Sequence, residues 1–214
     1  MFDSIDLYLV FDLFLLLLIG MGPKIALVPF LEATQGMEAE TQRKVANTMV
    51  RTAVGTALVL VVRGWLLMRL LHFTPGTANV AGGSILLLIS LGMLVRPAKK
   101  HDPDAEVGHH DPQKLAIYPL AVPYLLNPAG IAALVIISDD IDSLLFAAIV
   151  IGIVLLVGLM DFAVFRNMDK LSKHLEPSRL VITEVVFGVL LTALAVQLMV
   201  DGLAELGIVA AAAN

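Results

Sequence analysis

Cysteine is missing from all 214 residues, so disulfides and thiolate metal sites are excluded and the redox compartment stays unread. Charge is scarce as well. Asp, Glu, Lys and Arg make up 15% of the chain, where a soluble domain carries about a quarter. The opening residues Met1-Phe-Asp-Ser-Ile-Asp6 hold no basic leader, and no small-residue cleavage site follows the first apolar run. That run is therefore expected to be a retained helix and not a removed signal. Nucleophile elbows, phosphate loops and zinc-protease patterns are absent, which argues against an enzyme. Nothing calls for a cofactor or a nucleic-acid partner.

What is present is apolar. Hydrophobic residues reach 58% and the mean hydropathy is +0.90, which predicts an all-α polytopic membrane protein whose surroundings are the lipid bilayer. A bilayer-crossing helix takes roughly 20 mainly apolar residues. Six stretches qualify, at about 8–31, 51–71, 79–95, 115–138, 143–165 and 180–200. The net charge of −5 says little, because the placement of the basic residues matters more than their sum. All but three of the 14 Lys and Arg lie in the loops after the first, third and fifth spans. By the positive-inside rule those loops are cytoplasmic and both termini lie outside. The three left over are Lys24, Arg63 and Arg69. Arg69 is near a span end and can snorkel, but Lys24 and Arg63 fall near mid-depth, where a charge by default points to function.

The chain divides into two halves that answer each other. The first span is interrupted by Gly20-Met-Gly-Pro23-Lys24 and the fourth by Asn127-Pro128-Ala-Gly130. Pro23 and Pro128 are 105 residues apart, as are Gly83 and Gly188 of spans three and six. This spacing suggests a duplicated three-span unit: residues 1–100 and 115–214, joined by a cytoplasmic linker at 101–114. Three spans is an odd number, so the second unit must be inserted upside down, the plan of many secondary transporters with sites at broken helices near the midplane. At about 1.5 Å per residue, both prolines fall close to the bilayer centre, approached from opposite faces.

Asn before Pro128 reads as an N-cap followed by proline at the first helical position, and Gly22-Pro23 is a weaker version. Each would start a half-helix inside the membrane, with its positive end buried in protein or lining a polar cavity. With Lys24 beside it, such a site favours a carboxylate or another anion. Pro23, Lys24, Asn127, Pro128 and Gly130 are the candidate substrate-binding residues, with Arg63 and Gln197 as further candidates. Arg63 could instead pair with Asp161 or Glu184, which are expected near the cytoplasmic interface, and Asp12 and Glu32 near the two ends of span one. Ser90 and Thr192 are expected in interhelical hydrogen bonds, and Gly82, Gly83 and Gly188 at close helix contacts. The loop 101–111 holds His101, His109 and His110 among acids, without fixed ligand spacing.

The segments YPLAVPYLLNPAGIAALVII (118–137), AGGSILLLISLGML (81–94) and FGVLLTALAVQLMVDGL (187–203) together resemble the MarC family of integral membrane proteins, over all six spans. The resemblance implies a six-span fold similar to the LysE-like exporter superfamily, with small neutral amino acids as one substrate class among relatives. The family pattern at the first break, Asn/Asp-Pro-x-Gly-x-x-Pro-x-Phe, is altered here. Gly22 replaces the acid or amide, Ile25 the glycine, and the second proline comes one place late at Pro29; Lys24 stands where an apolar residue is usual. In the second half Asn127 replaces a common glycine, and Ala129-Gly130 appear in swapped order. The expected function is alternating-access movement of a small solute, an amino acid or related carboxylate. The alternatives are a non-transporting membrane scaffold, with a dry, filled centre at the breaks, and metal-ion efflux through the histidine loop. A homo-oligomer is compatible with any of them.

Overall fold

The computed structural model describes residues 7–95, 111–168 and 177–209, with the side chains of 93, 177–184 and 187 left aside. The histidine loop over 101–110, on which metal efflux rests, and the Glu184 side chain lie outside the described residues. Among those described, all regular structure is helical. The first span is α1 (Leu7–Met21) followed by α2 (Pro23–Ala33), interrupted at Gly22. A turn closed by Thr34, whose hydroxyl donates to the Phe30 carbonyl at 2.7 Å, leads to α3 (Ala39–Leu71). His72, in the left-handed conformation, ends α3, and α4 (Pro75–Val95) begins with proline in its first turn.

The second half opens with the short helix α5 (Pro112–Leu115), capped by the Asp111 carboxylate, which accepts from the Gln113 N–H at 3.0 Å. It continues through an irregular segment, Ala116–Leu125, into α6 (Pro128–Asp139). Then come α7 (Leu144–Arg166), capped by Ser143, and α8 (Pro177–Glu205). Five helical runs are long and apolar enough to cross a membrane, and the pair Pro112–Leu125 and Pro128–Asp139, bent by 70°, makes a sixth if it is one span.

Two spans differ from their expected form. Helix α3 has 33 residues, about 50 Å at 1.5 Å per residue, because it begins twelve residues before the apolar window. Its first turns are polar and carry an exposed i,i+4 pair, Lys44 Nζ to Glu40 Oε1 at 2.7 Å, which holds the Glu40 carboxyl below and the Lys44 ammonium above their ordinary values. The stretch before the fourth-span break is not a continuous half-helix. Tyr118 (φ −136°, ψ 128°) and Val122 (φ −134°, ψ 124°) are extended. Each precedes a proline, and the residue before a proline is disfavoured in the helical conformation.

Packing falls into two bodies. The larger core joins α1–α3, the irregular segment, α6 and α7 around Leu17, Met49, Leu120, Leu134 and Val154. The smaller one pairs α4 with α8 and meets the rest through Ile25 of α2 and Ala129 of α6. Small residues let α4 and α8 approach. A Cβ on Gly83 would lie 2.7 Å from the Ala195 carbonyl oxygen, and one on Gly188 2.9 Å from Leu94 Cδ2. The expected hydrogen bond across this pair is present, with the Ser90 and Thr192 hydroxyls 2.9 Å apart. Leu7, Phe11, Leu70, Leu88 and Leu159 point outward and stay exposed, as the lipid-facing side of a helix bundle requires.

Candidate functional site

Pro23 has no N–H, so the carbonyl four residues earlier, on Ile19, loses its helical partner. The end of α1 therefore presents unfilled acceptors inside the membrane, where water cannot fill them. The fourth span fills them. Asn127 Nδ2 donates to the Ile19 carbonyl at 2.8 Å, and the Asn127 backbone N–H donates to the Gly20 carbonyl at 2.9 Å. The Asn127 Oδ1 accepts from the Gly130 N–H at 2.9 Å, closing the cap of α6. One asparagine thus ends α1 and begins α6.

The backbone at the two breaks is nearly the same. Gly22 sits at φ −83°, ψ 167° and Asn127 at φ −82°, ψ 165°, each an extended residue before a proline. The chains touch where Gly20 meets Gly130: a Cβ on Gly20 would come 2.5 Å from the Gly130 Cα, and one on Gly130 would collide with the Gly20 backbone. Around this contact Leu17, Met21, Leu125 and Leu126 have no exposed surface. The centre is filled by protein, so the breaks meet as expected but enclose no shared wet pocket in this conformation.

Space lies beside it. A crevice of about 560 Å³ opens between α4 and α6, with Pro128 and Gly82 at the break end and Ala81, Ile85, Pro123, Ile131 and Val135 along its walls. Thr77 is its one hydroxyl, and that hydroxyl already donates to the Thr74 carbonyl at 2.7 Å. Such a lining holds an apolar body and leaves polar recognition to the backbone at the break.

Of the predicted site residues, Pro23, Asn127, Pro128 and Gly130 come together. The other three do not join them. Lys24 and Arg63 occupy exposed positions on α2 and α3, and neither lines the crevice. Gln197 is exposed and donates to Asp201 Oδ1 at 2.7 Å, one turn along α8. Asp161, expected at the interface and as a partner for Arg63, is fully buried in α7 with both carboxylate oxygens unpaired. No group of three or more His, Asp or Glu suited to a metal occurs among the described residues. Gly20 was missed from sequence, although it lies within the quoted break; its signal was a glycine one turn before Pro23.

Residues 7–207 match the family described as "MarC family integral membrane protein". The UPF0056 membrane protein MJ1677 of Methanocaldococcus jannaschii is 27% identical over 189 residues, covering 86% of this chain and 90% of that protein. The UPF0056 inner membrane protein YhgN of Escherichia coli is 24% identical over 188 residues, covering 88% and 92%. A UPF0056 membrane protein of Aquifex aeolicus is 26% identical over 150 residues, covering 68% and 69%. No solved structure gives a significant match.

Proposed function

We propose that this chain, which belongs to the MarC family of integral membrane proteins, moves a small solute across a prokaryotic inner membrane. The relative YhgN is named an inner membrane protein, and the basic ends of the helices face the cytoplasm under the positive-inside rule, with both termini outside. The observation that carries the reading is the joint at Asn127. It ties two interrupted spans together beside a crevice between the α4–α8 pair and the larger body.

An inverted repeat is supported by the way equivalent parts of the two halves meet: α3 with α7, α4 with α8, and the two breaks with each other. In alternating access the α4–α8 pair swings against the larger body, and the crevice is the seam that opens. Its apolar walls and the positive end of α6 favour an amino acid with a small aliphatic side chain, or a related carboxylate. Pro23, Asn127, Pro128 and Gly130 shape that site.

The scaffold reading has one observation in its favour, the filled centre around Gly20 and Gly130. Counterflow of labelled amino acids in liposomes, comparing wild type with Ala81→Phe, separates the two. Ala81 lines the crevice from an exposed position, so phenylalanine fills the space without disturbing the core. Exchange by wild type that falls sharply in the variant supports transport. A folded wild type that exchanges nothing, or a variant as fast as wild type, rejects the site.

A further inference from the structure

Asp161 is the described carboxylate that the fold leaves without explanation. It is buried to 0% exposure, and neither oxygen has a hydrogen-bond partner. It belongs to the buried stripe of α7 that runs through Val154, Val157, Gly158 and Phe165. Gly158 lies against Val54 of α3, and the Phe165 ring stacks obliquely on Phe30 of α2 at 5.1 Å. Asp161 is therefore held between two apolar contacts, five residues from the end of α7.

An ionised carboxylate in such a place costs far more than a neutral one, unless a cation or several donors meet it. None does. Helices α1, α2 and α3 pack against α7, and their titratable and charged groups all occupy exposed positions. These are Tyr8 and Asp12 on α1, and Lys24 and Glu32 on α2. On α3, Arg51 is closest in register, with Glu40, Arg43 and Lys44 beyond it and Arg63 and Arg69 toward the other end. Among the described residues no ion pair reaches Asp161. A metal cation is a poor occupant, since hard cations gather about six oxygen ligands and the described residues hold no cluster of three or more His, Asp or Glu. The proton remains.

A second observation comes from the facing helix α3. The one other described buried side-chain oxygen lacking a partner is Asn47 Oδ1. Asn47 is seven residues before Val54 and so on the same side of α3 that meets α7 at Gly158. It also lines a polar groove of about 440 Å³, with Thr48, Arg51 and Gln113, at the basic end of the bundle. Asn47 thus places an unpaired oxygen at the edge of that groove and on the α3 side that packs against α7, the helix that carries Asp161.

We propose that Asp161 is a proton-binding site that couples solute movement to the transmembrane proton gradient, reached from the basic side past Asn47. This rests on the transport reading above. The carboxylate takes one proton from water in the groove and is buried as the neutral acid. When the helices rearrange, it returns that proton to water on the opposite side and becomes a carboxylate again. Each cycle moves one proton with no other bond made or broken.

The test uses the purified chain in liposomes loaded with a pH-sensitive dye, with an amino-acid gradient imposed, for wild type, Asp161→Asn and Asp161→Glu. Exchange without any gradient is recorded in parallel for wild type, to establish transport itself. Infrared difference spectra of wild type across a pH titration report the protonated carboxyl directly. Expected are a solute-driven pH change in wild type, its loss in Asp161→Asn, its return in Asp161→Glu, and a protonated carboxyl band at neutral pH. Wild type that exchanges solute without moving protons overturns the proposal. So does Asp161→Asn moving protons like wild type, or uptake that follows a sodium gradient alone. A wild type that exchanges nothing rejects the transport reading and the coupling together, and the infrared band then decides the protonation by itself. Should Asp161→Asn fail to fold, the band and Asp161→Glu carry the test, and absence of the band overturns the proposal.

Discussion

Asn127 donates its backbone N–H to the carbonyl of Gly20 at 2.9 Å, across the meeting point of two interrupted spans. Its side chain reaches one residue further back, to the carbonyl of Ile19 that Pro23 leaves without a partner. The proline of one half and the asparagine of the other are thus complementary: the first creates an acceptor inside the membrane, and the second fills it. A lone break would leave polar backbone in hydrocarbon, so two breaks in contact form a stable joint where either alone would not.

Asn127→Ala removes the cap of α6 and the donor to Ile19 together. Loss of the cap costs about 1 kcal/mol, and the orphaned buried carbonyl about 1–3 kcal/mol more. A lower thermal midpoint in detergent is expected. Asn127→Asp keeps the acceptor for Gly130 but places a carboxylate against the Ile19 carbonyl, so it should fall at least as far. An unchanged midpoint in both would mean that the joint carries little of the stability.

Gly130→Ala should be severely destabilising, because its methyl group would strike the Gly20 backbone, which cannot rotate away. Gly152→Ala on α7 meets nothing within 4 Å. There alanine should be neutral or stabilise by about 0.5–1 kcal/mol, through its better helix propensity. Thermal melts of the two purified variants check the contrast.

Thr192→Val deletes the hydroxyl that meets Ser90 between α4 and α8. Hydrogen bonds between membrane helices average about 0.6 kcal/mol, so only a small drop in midpoint is expected. A collapse of the fold would mean that this hydroxyl pair, and not the glycine contacts, holds α4 to α8.

Much of this was legible in the residues. Runs of Leu, Ile and Val marked the spans, and the prolines at 23 and 128 marked the breaks to the residue. Asn127 before Pro128 announced its own cap. The irregular stretch before it was also written in Tyr118-Pro119 and Val122-Pro123, since each proline disfavours the helical conformation in its predecessor. What the sequence could not carry was direction. Lys24, Arg63 and Gln197 have the right depth for a central site, yet which side of a helix faces inward depends on packing partners. In a chain apolar on every face, periodicity gives little guidance. Asp161 was read for its depth alone: its distance from the end of α7 suggested an interface, and only packing shows that it is buried where α7 meets α3 and α2.

The most direct measurement is a double-mutant cycle between Pro23→Ala and Asn127→Ala, read as stability in detergent. Alanine at 23 restores an N–H four residues after Ile19, so the Asn127 amide is no longer the sole partner for that carbonyl. The account predicts that Asn127→Ala costs clearly less in the Pro23→Ala background than in wild type, with a coupling of about 1 kcal/mol. Strict additivity of the two changes would contradict it, and would leave the two breaks as neighbours that do not depend on each other.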